Sequence, residues 1–140
     1  MFASAPTGRI AGPGAGEALR MARKDDLGRA GEERAALYLT RRGYEILDRN
    51  WRCADGEIDI VAAHGRDIAV VEVKTRTSIG YGHPFAAIDD RKLARLWRLA
   101  MAWASAHPGR ARYRRLRVDA IAIIGPAPTT GTLEHLEGLR

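Results

Sequence analysis

The stretch GEIDIVAAHGRDIAVVEVKTR, residues 56–76, constrains the fold more than any other part of the chain. Apolar residues alternate on both sides of Gly65-Arg66, which reads as two strands, about Glu57–Ala63 and Asp67–Thr75, joined by a two-residue turn. With that turn, cross-strand partners have residue numbers that sum to 131, so Val61 faces Val70, Asp59 faces Glu72 and Glu57 faces Lys74. Because side chains alternate faces, these six share one side of the hairpin. The other side carries Ile58, Ile60, Ala62, Ala69, Val71 and Val73. Both faces are apolar at the turn end, as expected of central strands covered on both sides. The charges gather at the far end, where a cleft can form. Carboxylates directly opposite one another destabilise a hairpin, and a divalent cation shared by Asp59 and Glu72 would remove the conflict. A solvated face with a Glu57–Lys74 ion pair is the plainer alternative, but it leaves Asp59 opposite Glu72 unexplained. The argument depends on register, since a longer turn would offset the pair.

The 140 residues support one domain with a core of its own. A 46% hydrophobic and 29% charged composition fits a soluble globular protein. No apolar run approaches the roughly 20 residues a membrane helix needs, and no secretory h-region is visible. The single cysteine, Cys53, fits a reducing cytosol and reads as a small strand-edge residue. These features point to a cytoplasmic protein. The net charge of +6 is concentrated: residues 86–118 hold nine Lys/Arg against two Asp. Such a region attracts polyanions, nucleic acid first, although a solvated Arg-rich face accounts for the charge equally well.

Residues 1–26, rich in Ala, Gly, Pro and Arg without periodicity, read as a disordered tail, leaving residues 27–140 as the domain. A helix is expected over Leu27–Arg42, N-capped by Asp25 or Asp26 and closed by Gly43. Glu32 falls at the edge of its apolar stripe, where it either aims at the sheet or sits on the surface. Tyr44–Arg52 reads as a strand and Thr77–Phe85 as a Gly- and Pro-containing loop beside the charged end of the hairpin, with His83 an ordinary loop histidine. A second helix is expected over Ala86–Ala106, with Trp97 and Trp103 on its core face and Arg91, Arg95 and Arg98 on another. Leu116–Ile124 reads as a strand and Thr132–Leu136 as a short edge strand. Asp119 suits either a supporting acid or an ion pair with a nearby Arg. The order α-β-β-β-α-β, with a last short strand, predicts an α/β fold with a central mixed sheet of four or five strands and helices on both faces.

Asp59 and Glu72 with Lys74 at a sheet end suit metal-assisted phosphodiester hydrolysis. Mg²⁺ takes oxygen ligands, often only one or two carboxylates, and acidifies water. Lys74 can orient the attacking water or stabilise the transition state, and Arg76 can touch a phosphate. No clustered His/Cys motif suggests zinc, no phosphate-binding Gly-rich loop a nucleoside triphosphate, and no Gly-x-Ser-x-Gly elbow a serine hydrolase.

The spaced pieces GRAGEERAALYL, GYEILDRNWR, GEIDIVA, VVEVKTR, GHPFAAIDDRKLARL and RVDAIAI resemble the YraN-like family of uncharacterised bacterial proteins. That family is similar to the PD-(D/E)XK nucleases, among them archaeal Holliday junction resolvases and restriction endonucleases. The resemblance implies a restriction-endonuclease-like fold and the catalytic set Glu32, Asp59, Glu72 and Lys74, with Asp59 and Glu72 holding Mg²⁺ or Mn²⁺. Ile58 stands where the motif has proline. The expected function is a Mg²⁺-dependent endonuclease acting on branched or structured DNA, with DNA ahead of RNA as partner, no membrane association, and a homodimer to make two symmetric cuts. Arg76, Arg91, Lys92, Arg95, Arg98, Arg114 and Arg115 are the candidate nucleic-acid contacts. The alternative is a nucleic-acid-binding module of the same fold without turnover.

Overall fold

The hairpin forms in the expected register. In the computed structural model, which describes residue 12 and residues 14–140, strand β2 (Gly56–His64) pairs antiparallel with β3 (Asp67–Arg76). The ladder runs from Ile60↔Val71 to His64↔Asp67 around Gly65-Arg66, and Gly65 takes the left-handed φ of 59° that a tight turn requires. β1 (Glu45–Cys53) pairs antiparallel with β2 on the outer side. β4 (Arg115–Ile124) lies parallel to β3, and β5 (Thr132–Leu136) closes the far edge antiparallel to β4. The result is a mixed five-stranded open sheet in the order β1-β2-β3-β4-β5. A parallel neighbour needs a crossover, and helix α2 (Asp90–Ala106), followed by the single turn α3 (Pro108–Ala111), supplies it.

Helices cover both sheet faces. Ala35, Ala36 and Leu39 of α1 (Ala15–Arg41) pack on Ile60, Ala62, Ala69, Val71, Ile121 and Ile123. Leu96, Leu99, Ala100 and Trp103 of α2 pack on Val61, Ile68, Val70 and Val118 of the opposite face. Trp97 and Trp103 are core residues as expected, and Trp103 spends its indole N–H on the Asp48 carboxylate at 3.1 Å. The architecture is the α/β arrangement anticipated from sequence, consistent with the restriction-endonuclease-like fold.

Three expectations are corrected. α1 starts at Ala15 behind Gly14, twelve residues before Leu27, so neither Asp25 nor Asp26 is its cap. Ala15–Asp26 is all exposed, so this first part of α1 buries nothing against the sheet. Residues 1–11 and 13 of the expected tail lie outside the described residues. The end of α1 matches: Gly43, at φ 87°, follows Arg42, and the Tyr44 N–H reaches back to the Leu39 carbonyl at 3.0 Å. Second, α2 starts at Asp90, not Ala86. Asp89 caps it by accepting the Lys92 N–H at 2.8 Å, and Pro84–Ala87 forms a separate 3₁₀ turn. Third, the strict alternation of β2 breaks at Asp59. Ile58 packs with the α2 cluster whereas Ile60 packs with the α1 cluster, although the two were expected on one face.

Candidate functional site

The break at Asp59 creates the site. β2 and β3 pair regularly up to Ile60↔Val71. Beyond that pair, the Asp59 carboxylate rather than a main-chain carbonyl accepts the Val73 N–H, at 2.8 Å. Asp59 and Glu72 lie close enough for their charges to interact, but they do not form the directly opposed ladder pair expected of them. β1 is irregular at the same level: Asn50 has φ 51°, a left-handed conformation that Asn tolerates better than other non-Gly residues. With its amide nitrogen turned inward, Asn50 donates to Glu57 at 3.1 Å and to Glu32 at 3.0 Å, clamping the two carboxylates together. Glu57 consequently turns toward α1 and Arg52, at 3.3 Å, and the Glu57–Lys74 ion pair of the plainer alternative does not form, since Lys74 pairs with Glu72.

Glu32 reaches this place because α1 presses closely on β3. A Cβ on Gly31 would overlap the Thr75 hydroxyl and lie 2.9 Å from the Thr75 Cβ. Gly31→Ala is therefore expected to cost about 1–3 kcal/mol, the usual range for overpacking, and to push Glu32 off its position. Thermal unfolding checks the first effect; the second should appear as weakened divalent-metal binding.

Glu72 is nearly buried and sits on the α2 side, held by Lys74 at 3.0 Å and by Lys92 of α2 at 3.3 Å. Asp59 lies at the fork between the two faces. Burial first, and then Glu72, push its carboxyl up to about 7; Glu32 and Glu57 add to the rise, and the Val73 N–H opposes it. Burial and then Glu57 also raise Glu32. Four acids thus share one end of the sheet, with lysines attached only to Glu72. An open cavity whose lining includes Lys24, Asp25, Arg29, Asn50 and Arg52 exposes Glu32 and Glu57 to solvent; Asp59 and Glu72 are not part of its lining. The donors are all oxygens, and one carboxyl, Asp59, is raised by burial and then by the acids around it. Oxygen donors are the kind Mg²⁺ or Mn²⁺ takes, but among the described residues no three of these four acids bring ligand atoms within 4.8 Å of one another, so an ion here would be held by one or two carboxylates and water.

Placement of the expected polyanion contacts divides them. Arg91, Lys92, Arg95 and Arg98 line one shallow cavity on α2, and Arg91, Arg95 and Arg98 are exposed. Arg76 is exposed at the end of β3. Arg114 and Arg115 are not brought to the site: the parallel register sets Arg115 beside Asp67, at the opposite end of β3 from Glu72 and Lys74. Sequence reasoning missed Asn50 altogether and missed that Lys92 serves Glu72. The available signal for Asn50 was an Asn within an otherwise strand-forming run.

A second acidic cluster has a different character. Asp119, His135 and Glu137 present ligand atoms within 4.8 Å of one another. The Asp119 carboxylate is already filled: Arg117 donates to both oxygens at 2.9 and 3.0 Å, His135 at 2.8 Å and the Gly138 N–H at 3.0 Å. Burial would raise Asp119, but these donors outweigh it and hold the carboxyl below the usual range. The ion-pair reading of Asp119 is the one that holds, and the network is structural. His83, a loop histidine as expected, pairs with Glu134 of β5.

Comparison with known proteins places this architecture. Residues 31–123 match the model of the uncharacterised protein family UPF0102. The chain belongs to the UPF0102 family. It is 52% identical over 119 residues to the UPF0102 protein of Arthrobacter sp. (strain FB24), covering 85% of this chain and 99% of that protein. The UPF0102 protein of Paenarthrobacter aurescens (strain TC1) is 51% identical, covering 85% of this chain and 97% of that one. The family resemblance drawn from the sequence is thereby shown. The UPF0102 match spans Glu32, Asn50, Glu57, Asp59, Glu72, Lys74 and Lys92, that is, the whole acidic site and the two lysines on Glu72. No helix of this UPF0102 chain, among the described residues, is long and apolar enough to cross a membrane.

Proposed function

We propose that this protein is a divalent-metal-dependent endonuclease that hydrolyses phosphodiester bonds in branched or structured DNA. The observation that carries the reading is the gathering of Glu32, Glu57, Asp59 and Glu72 at one end of the sheet, with Asp59 taking the Val73 N–H at the fork of β2 and β3 and Lys74 beside Glu72; burial and Glu72 push the Asp59 carboxyl up. A cluster whose acids raise one another is poised to take a cation in exchange for a proton. Asp59 and Glu72 would hold Mg²⁺ or Mn²⁺. Bound there, the ion would acidify a water and offset charge on the phosphoryl oxygens. Lys74, two residues from Glu72 on the same face, would hold the attacking water or donate to the phosphoryl group. Glu32, fixed by Asn50, would order water on the cavity side. Arg76 and the Arg91–Arg95–Arg98 stripe would grip the backbone, making affinity fall steeply with salt. Resolvase-type cutting would further require a homodimer, to bring two sites to one junction.

One observation favours a second reading. Glu72 is already neutralised by Lys74 and Lys92, so part of the site is satisfied without metal, as a binding module without turnover would have it. Cleavage of single-stranded, duplex, flap and four-way DNA with Mg²⁺ or Mn²⁺ separates the two. Metal-dependent cutting of at least one substrate, lost in Glu72→Ala, supports the enzyme. Salt-sensitive binding with no cutting under either ion establishes the module, and the absence of binding excludes both.

A further inference from the structure

The loop that follows β3 carries a feature that the acidic site does not use. Tyr81 is fully exposed, so its ring contributes no apolar burial to the fold, and Ile79 is more than half exposed. Both belong to one tight turn. The Gly82 N–H donates to the Ile79 carbonyl at 2.9 Å, Gly82 takes a φ of 99°, and the Ser78 hydroxyl accepts the Gly80 N–H at 3.4 Å. The base of the loop is pinned on both sides. The Gly125 N–H donates to the Arg76 carbonyl at 3.0 Å. On the other side His83 pairs with Glu134 and accepts the Phe85 N–H. A short, anchored turn thus holds an aromatic ring out into solvent.

Its surroundings select the occupant. The loop leaves the end of β3 that bears Glu72 and Lys74 and leads to the α2 stripe. Four arginines between residues 74 and 98, Arg76, Arg91, Arg95 and Arg98, are exposed, against two exposed acids, Asp89 and Asp90. An aromatic face within a cationic surface meets the two needs of a nucleic-acid strand: backbone phosphates for the cations and an unpaired base for the ring. Bases within a continuous duplex present no free face to such a ring.

We propose that Tyr81 is a stacking platform for an unpaired base beside the scissile phosphate, and that it makes the protein prefer single-stranded or branched DNA to continuous duplex. The proposal rests on the endonuclease reading and deepens it by naming the element that selects the substrate. The pinned loop keeps the ordering cost of binding low.

The test is equilibrium binding of the full chain in EDTA, where nothing is cut, to single-stranded oligo-dT, to a blunt duplex and to a duplex with an unpaired branch. The wild type is compared with Tyr81→Phe, Tyr81→Ala and Tyr113→Ala, the last removing an equally solvent-facing tyrosine after α3. Tyr81→Ala should weaken the single-stranded and branched complexes about 10-fold or more, as expected for loss of one base–aromatic stack, and leave duplex affinity within about 2-fold. Tyr81→Phe and Tyr113→Ala should bind all three like wild type. Equal losses on all three substrates, or none in Tyr81→Ala, overturn the proposal. If wild type binds and, with Mg²⁺, cuts while Tyr81→Ala is unaltered, the stacking role alone falls. If wild type binds no DNA, the endonuclease reading falls with it.

Discussion

Replacing Asp59 by Asn is expected to make the metal-free protein more stable at neutral pH while abolishing cleavage. Burial and Glu72 push the Asp59 carboxyl in the folded chain up to about 7, well above its ordinary value of 3.8. A group raised in this way is charged in the unfolded chain before it is charged in the native one. It therefore costs nothing below about pH 4 and costs progressively more as pH climbs to about 7, after which the cost is constant. The interval sets a ceiling of about 4 kcal/mol, and partial solvent contact lowers the expected value to roughly 2. Asn keeps the oxygen that accepts the Val73 N–H but does not ionise. Urea unfolding in EDTA should therefore give equal stabilities near pH 4 and an advantage of roughly 2 kcal/mol for Asp59→Asn at pH 8. Mg²⁺ or Mn²⁺ should stabilise wild type at pH 8 and leave the variant unmoved. Cleavage should fall about 1,000-fold or more, as for loss of a group that stabilises transition-state charge. Equal stability of the two proteins at pH 8 would remove the electrostatic argument for the site.

The second large effect lies away from the site. Arg117 donates to Asp119 through Nε and an Nη, to Asp67 at 3.1 Å and to the Tyr44 hydroxyl at 2.7 Å. Asp119 has no solvent exposure. Burial opposes the charge on Arg117, but Asp119 and Tyr44 outweigh it and raise its pKa. Arg117→Ala leaves the buried Asp119 carboxylate with only His135 and the Gly138 N–H, and should cost up to about 3–5 kcal/mol, the range for a buried pair broken from one side. Arg117→Met combined with Asp119→Asn leaves no orphan charge and should regain at least about 1 kcal/mol of that loss. Chemical denaturation measures both. A double variant no more stable than Arg117→Ala would mean that the network acts through packing and not through charge.

Much of this was legible before the coordinates. The turn at Gly65-Arg66 fixed the pairing of β2 with β3, because a period of two leaves only one register that buries both apolar faces. Glu72 and Lys74 followed from that pattern alone. The family resemblance brought Glu32 into the set, since position within the helix favoured a surface glutamate. Other features lay outside local rules. Periodicity cannot see the step at Asn50 and Asp59, so it placed Glu57 opposite Lys74 and Ile58 beside Ile60. Asn50 acts through a backbone angle and two acids from different elements. Lys92 reads as one more cation of an Arg-rich helix until α2 is docked on the sheet. Arg114 and Arg115 belonged to the basic count but not to the basic surface, because a parallel strand begins at the end of the sheet opposite the site.

β1 is an edge strand with a ladder neighbour on one side only. Strands of that kind fray before strands bonded on both sides. Asn50 sits on it, whereas Glu72 and Lys74 sit on β3 in the middle. Brief detachment of the margin would let Glu32 and Glu57 drift apart while the interior of the sheet stayed whole. In this protein the ability to organise an ion can lapse well before the chain unfolds, so a melting curve would overstate the temperature range in which the molecule is competent.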